Sequence, residues 1–305
     1  MPVVLRIPAQ DVGTRTPGDP GLPEVFNKPE HAYVWLVMEN NNNELTVNYR
    51  YWQLDPANWR LEPYSGSFAA SGDMVYRYNG DLTILLPSNR KTGRFYVAVS
   101  KDEITPSKTT GCTSEEEVQN ITFDATPAWD HLQDIYSTPY NYYVGTTSTY
   151  YGTVINFASN VPQANLLLYH VAAKVDLQWQ VSEALQAAGY YINNTNGITV
   201  TNLKTKDCLL FKPNENVGAG DTPDTHQITI NPGNQWIGRH SFYAIPYAMG
   251  TDTDDDKKYT ISMTVNGAGY NAGAKTHTVS VPYYSTTEPF TQWIRADVNI
   301  KKTEE

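Results

Sequence analysis

The chain has 305 residues, enough for one large or two ordinary domains. Its 22 Tyr, 8 Phe and 7 Trp, within a hydrophobic content of 40%, exclude wholesale disorder and favour strands. A formal net charge of −10, with no run of Lys and Arg to offset it, excludes nucleic acid as a partner, because such a surface repels phosphate.

The first predicted element is a short strand at Pro2–Pro8, with Val3, Leu5 and Ile7 on one face. The following run, Asp11-Val-Gly-Thr-Arg-Thr-Pro-Gly-Asp-Pro-Gly21, is too rich in Gly and Pro for a strand or helix. An apolar strand is thus tethered to the body by a linker that contains Arg15. Strands at Tyr33–Met38 and Glu44–Leu54 flank the turn Asn40–Asn43. In the second of them Leu45, Val47, Tyr49 and Tyr51 alternate with Thr46, Asn48 and Arg50. Asn79-Gly80-Asp81 predicts a tight hairpin, with Leu82, Ile84 and Leu86 alternating beyond it. Phe95, Val97 and Val99 mark the next strand. Ser114–Asn120 and Pro127–Tyr136 are expected as short helices, the second capped by Thr126 with Pro127 at its first position.

A Tyr/Thr/Ser-rich stretch, Ser137–Tyr151, precedes a domain boundary placed near Asn160–Gln163, which gives domains 1–163 and 164–305. The clearest strand runs from Val171 to Val181. Val171, Ala173, Val175, Leu177, Trp179 and Val181 face one way, and Ala172, Lys174, Asp176, Gln178 and Gln180 the other. Tyr259, Ile261, Met263 and Val265 alternate in the same fashion. Asn266-Gly267-Ala268-Gly269 forms a tip before Lys275–Val281. The last strand carries Ile294, Ala296, Val298 and Ile300 on one face. One-sided strands of this kind build antiparallel β-sandwiches, and the scarcity of helix disfavours a βαβ fold. The expected class is all-β.

Motifs of catalysis and metal binding are weak. Asp252, Asp254 and Asp256 match positions 1, 3 and 5 of a calcium loop, but Lys257 and Met263 stand where Gly and Glu are required, so a solvated hairpin tip is favoured. Gly267, Gly269 and Gly273 have the wrong spacing for a phosphate-binding loop. None of His31, His131, His170, His226, His240 and His277 has a histidine partner at zinc-helix spacing, and His170 is read as structural. Glu115, Glu116 and Glu117 read as the solvated first turn of a helix. No catalytic residue, metal or cofactor is assigned. A hydrolase with carboxylates scattered through the β fold is a third reading of function, without a motif to support it. The aromatics are read as core and cross-strand pairs, with a sugar-stacking platform as the alternative. Cys112 and Cys208 are too few for a disulfide framework, and whether they pair is left open. No stretch reaches the ~18–20 apolar residues of a membrane helix. With Met1 leading directly into a strand, the sequence is read as trimmed, and export is expected from the composition, whose charged content of only 18% is common in extracellular β proteins.

Four segments carry a resemblance: Val3–Pro8 followed by Gly13-Thr-Arg-Thr-Pro-Gly-Asp19; Lys91-Thr-Gly-Arg-Phe-Tyr-Val-Ala-Val99; Leu166-Leu-Leu-Tyr-His-Val-Ala-Ala-Lys-Val175; and Trp236-Ile-Gly-Arg-His-Ser-Phe-Tyr-Ala-Ile-Pro-Tyr247, with the late Ala296-Asp-Val-Asn-Ile300. In order and spacing they resemble the fimbrillin family, the type V pilin subunits of Bacteroidetes. The resemblance implies two transthyretin-like β-sandwich domains in tandem and export as a lipoprotein to the outer membrane. It also implies cleavage by an arginine-specific protease after the first strand. A terminal strand of the next subunit then fills the vacated groove. Carried over by position, Val3, Leu5 and Ile7 form the displaced strand and Arg15 is the cut site. Ile294, Ala296, Val298 and Ile300 form the candidate donor strand. The implied partners are neighbouring fimbrial subunits, the maturation protease and a ligand on a host or bacterial surface. The expectation is a non-enzymatic fimbrial subunit or tip adhesin. The alternative is a glycan-binding surface lipoprotein that uses exposed aromatics.

Overall fold

The computed structural model describes residues 1–9, 26–64, 73–86, 90–138, 140, 154–156, 164–193, 195, 197–213, 226–246, 259–267, 275–279 and 293–301. The chain divides into two compact units. One comprises 1–171, 209–212 and 285–291; the other comprises 172–208, 213–284 and 292–305. The boundary expected near Asn160–Gln163 lies outside the described residues, as do Arg15 and the Asp252–Asp256 run.

In the first unit the strands are β1 (Val3–Pro8), β2 (His31–Asn40), β3 (Leu45–Gln53), β4 (Trp59–Tyr64), β5 (Asp73–Tyr78), β6 (Arg90–Ser100), β7 (Thr122–Phe123), β8 (Tyr136–Ser137), β9 (Val154–Asn156), β10 (Ala164–Leu167) and β11 (Tyr169–His170). They form one sheet of order β10-β1-β5-β4. A second sheet has the order β11-β8-β6-β2-β3, with β9 also on β6. The core gathers Val3, Leu5 and Ile7 of β1, Ala32, Val34, Leu36 and Met38 of β2, and Phe95, Val97 and Val99 of β6. Strand β2 is buried on both faces. Tyr33, Trp35 and Val37 are covered on the far side, where the Tyr33 hydroxyl accepts from Ile104 N (3.0 Å) and Trp35 Nε1 donates to Lys108 O (3.2 Å). Double-sided burial explains why this strand reads as an almost unbroken apolar run.

The hairpin expected at Asn79-Gly80-Asp81 does not form. Residues 82–86 make no strand; Thr83 bridges Pro2, and Val3 N donates to Leu82 O (2.9 Å). The segment is drawn to the start of β1 instead of folding back on β5. Helix α1 (Glu115–Gln119) is the one expected at Ser114–Asn120, with the Ser114 hydroxyl accepting from Glu117 N (3.2 Å). The second expected helix is a kinked 3₁₀ segment, Thr126–Asp134, whose cap position is Ala125 and not Thr126. Ala128 and His131 leave helical geometry there, and His131 Nδ1 reaches Asp102 Oδ2 at 2.6 Å. A tertiary contact and the buried Leu132 have overridden a weak local preference.

The second unit contains β12 (Ala173–Val181), α2 (Glu183–Ala187), β13 (Tyr191–Ile192), β14 (Ile198–Leu203), β16 (His226–Ile230), β17 (Ile237–Ala244), β18 (Tyr259–Met263), β19 (Val265–Asn266), β20 (Lys275–Val279) and β21 (Trp293–Ile300); β15 (Cys208–Leu209) spans the division. The sheets run β17-β12-β21 and β16-β14-β18-β20, with β13 paired to β19. Strand β12 starts at Ala173, since Val171 and Ala172 sit in a bend, but the expected inner face is buried throughout. Gly238 lies where a Cβ would come within 2.2 Å of the Trp179 ring, so the close crossing of β17 over that indole requires glycine.

The protein is therefore all-β and largely antiparallel. Among the described residues the exceptions involve the first and last strands: β1 runs parallel to β10, and β21 runs parallel to β12. Both cysteines are buried.

Candidate functional site

The first strand is an interior strand. It pairs with β10 through Val3↔Ala164, Val4↔Asn165, Leu5↔Leu166 and Arg6↔Leu167, and with β5 through Arg6↔Arg77, Ile7↔Tyr76 and Pro8↔Val75. Leu168 N donates to Arg6 O (2.8 Å), Ala164 N to Pro2 O (3.0 Å) and Ala9 N to Met74 O (3.0 Å). Leu5 and Ile7 are 0% exposed and Val3 is 3% exposed. The period of 2 that singled out these residues thus places them on one inward face. Full burial is worth roughly 1.5–3 kcal/mol for each such side chain. Aromatics close the core around them: Phe26 stacks on Tyr76 (3.7 Å, 7°) and meets the edge of Trp59 (5.9 Å, 81°). Taking β1 away uncovers a slot with apolar sockets on its floor and unpaired backbone groups on both walls.

The last strand is placed differently. Strand β21 is an edge strand, paired only with β12 among the described residues. Ile294, Ala296, Val298 and Ile300 stand opposite the buried Val175, Leu177, Trp179 and Val181. Val298 is half-buried and Ile300 is 6% exposed.

Sequence reasoning missed a buried ionic site on β12. Asp176, assigned to the polar face, is 0% exposed. Its Oδ1 accepts from Arg239 Nε (2.6 Å) and the Ser241 hydroxyl (3.0 Å), and its Oδ2 from Gln178 Nε2 (3.0 Å). In register it faces Ser241 on one side and Arg295 on the other.

Of the remaining candidates, His170, Glu115 and Glu117 are committed to structure. His170 donates through Nδ1 to Gln133 O (2.7 Å) and packs on Tyr136 (4.5 Å). Glu115 holds Arg94 and the Tyr96 hydroxyl. Glu117 accepts from Thr113 N and pairs with Lys108 (3.1 Å); these bonds bring its carboxyl down to about 2. Burial pushes the Tyr96 phenol far up. A cleft of about 430 Å³ beside β3 is lined by Leu36, Val47, Asn48, Tyr49, Arg50 and Leu85 among others, and none of its lining residues is a carboxylate. Tyr51 is exposed but tilted against its neighbours, 36° from His31 and 55° from Tyr33, so these rings make no flat platform. Among the described residues no cluster of three or more His, Cys, Asp and Glu side chains is placed to hold a metal, and no helix is long and apolar enough to cross a membrane.

The chain has likenesses among known protein structures. It is similar to a "putative cell adhesion protein" from Parabacteroides distasonis, at 12% identity and a TM-score of 0.50, over 98% of this chain and 94% of that one. The two share a fold. Similar at lower TM-score is the tip fimbrial protein Mfa3 from Porphyromonas gingivalis with C-terminal truncation (12% identity, 0.40, 91% and 81% covered). A further one is a fimbrial assembly protein from Parabacteroides distasonis (10%, 0.38, 97% and 90%). No family model matches the chain, and no curated protein is detectably similar in sequence.

Proposed function

We propose that this protein is a non-enzymatic cell-surface subunit, a fimbrial or tip adhesin component, that assembles by strand exchange. The observation that carries the reading is the position of β1. It is a short strand hydrogen-bonded on both edges, its inward side chains complete the core, and it is followed by the Arg15 segment. Cleavage in that segment converts an intramolecular plug into a replaceable one. An extended segment from a second copy then satisfies the backbone of β5 and β10 and fills the floor with alternate side chains. Because donor and slot are different surfaces, the contact is head-to-tail and propagates as a fibre. Strand β21, an edge strand that needs to break one ladder only, is the donor we assign. In this scheme the two units are tandem transthyretin-like sandwiches, and the protein is exported to the outer surface as a lipoprotein. Its partners are neighbouring subunits, an arginine-specific protease and a surface ligand.

Limited digestion with an arginine-specific protease, followed by intact mass and native sizing, tests this. The expected result is a single early cut after Arg15, loss of the first strand and a ladder of oligomers. Arg6, in mid-strand with a side chain 16% exposed, should survive while β1 is seated. Resistance at Arg15, or release of the strand with no oligomer, would sink the proposal. Glycan binding stays the second reading, but the tilt of the Tyr51 cluster gives it no platform.

A further inference from the structure

The outward face of the β1 slot is as specific as its apolar floor. Arg6 lies between Leu5 and Ile7 and points to the other side of the sheet. Its Nη1 donates to Asn165 Oδ1 on β10 (2.8 Å), its Nε lies 3.6 Å from Glu62 Oε1 on β4, and its guanidinium sits 5.7 Å from the centre of the Tyr64 ring. A carbonyl oxygen, a carboxylate and an aromatic face thus converge on one cation from two strands. The arrangement is under tension, because Arg6 stands directly opposite Arg77, and like charges so placed on neighbouring strands repel. Glu62 lies 3.6 Å from both guanidinium groups, and the buried Nε atoms of Arg6 and Arg77 have no hydrogen-bond partner. One carboxylate therefore serves as counter-ion to the strand and to the slot wall.

We infer that this cluster is a cation socket that reads the outward residue of whatever strand fills the slot, and so fixes the register of a second copy's last strand. The inference rests on the strand-exchange reading above. With β1 gone, Glu62 is left to Arg77, while Asn165 Oδ1 and the Tyr64 face lose their cation. A Lys or Arg restores all three contacts. An acidic residue meets three electronegative groups, and the nearby cation, Arg77, is already engaged by Glu62. In the last strand the residues alternating with Ile294, Ala296, Val298 and Ile300 are Arg295, Asp297, Asn299 and Lys301. Registers that keep the aliphatic face inward differ by two residues. Those that place Arg295 or Lys301 in the socket are accepted, and the one that places Asp297 there is rejected.

The test uses the full chain with a specific protease site introduced in residues 10–25, so that after cutting β1 stays bound without a covalent tether. Labelled peptides Val-Val-Leu-Arg-Ile-Pro, and versions with Gln or Glu in place of Arg, compete for the slot. The Arg peptide should bind at least tenfold tighter than the other two. Glu62→Lys should reverse the order in favour of the Glu peptide, and Glu62→Gln covers the case in which the reversal fails to fold. A peptide of residues 292–302 should bind, and Arg295→Glu with Lys301→Glu in it should weaken binding at least tenfold. Equal binding of all three short peptides would overturn the socket and leave strand exchange standing. Undiminished binding of the doubly reversed peptide would overturn the register assignment. If no peptide enters the slot, strand exchange itself fails.

Discussion

The two terminal strands of this chain are alike in sequence pattern and unlike in place. Both alternate aliphatic and polar residues, and both run parallel to a neighbour, β1 to β10 and β21 to β12. Strand β1 has a partner on each side and its inward residues are at most 3% exposed. Strand β21 has a longer ladder, from Lys174↔Trp293 to Val181↔Ile300, but among the described residues on one edge only. In the proposed assembly a plug and a donor have opposite requirements. The plug must be costly to lose, so that the slot never stands open before assembly. The donor must leave its own sheet without taking the sheet apart. The contrast between an interior and an edge strand meets both requirements within one chain.

The largest effect expected is at the anchor of the edge-strand sheet. Asp176→Ala leaves Arg239 without its buried carboxylate, a loss of about 3–5 kcal/mol by the usual cost of breaking such pairs. Hydrogen exchange should show β12, β17 and β21 losing protection while β1 keeps its own. If β1 loosens equally, the two strands do not report on separate stabilities.

Next in size is the direct comparison. Leu5→Ala opens a cavity under an interior strand and should cost about 2–5 kcal/mol in chemical denaturation. Val298→Ala removes a half-buried side chain from an edge strand and should cost under about 1 kcal/mol. Equal costs would erase the distinction between plug and donor.

Much of this contrast was legible as pattern and little of it as place. The alternation of Val3, Leu5 and Ile7 identified the face that enters the core, because a period of 2 is set by the strand itself. The order β10-β1-β5 was not legible. Val3 pairs with Ala164 and Arg6 with Arg77, and no local signal encodes partners so distant in the chain. The same long-range pairing defeated the Asn79-Gly80 hairpin, since residues 82–84 satisfy Met1–Val3 in preference to β5. The ionic sites were hidden for a related reason. Arg6 and Asp176 occupy the polar phase of their strands, and alternation assigns that phase to water. What buries Asp176 is the neighbouring strand, where Ser241 stands opposite it and Arg239, opposite Gln178, reaches it diagonally. What engages Arg6 is Asn165 on the adjacent β10 and Glu62 two strands away.

The last effect expected is a pH dependence that, for the shifted phenols among the described residues, falls on one side of the comparison. Tyr33, on the far face of β2, has its phenol pushed up to about 12, chiefly by burial; the hydrogen bond from Ile104 N acts the other way. The phenols of Tyr49, Tyr51 and Tyr96 are also pushed up, and all four lie in the unit that holds β1. A phenol whose ionisation is delayed by folding adds stability that is fully present below its unfolded value, near 10. That stability is lost as pH rises from about 10 through about 12. Alkaline melting should therefore begin around β2 and the slot it floors, before β12 and β21 respond, as read by hydrogen exchange or by strand-resolved NMR signals. Tyr33→Phe should lower stability at neutral pH, because Ile104 N loses its acceptor, and should flatten the alkaline slope. Simultaneous loss of β2 and β12 with rising pH, or an unchanged slope in Tyr33→Phe, would show that the two regions share one stability after all.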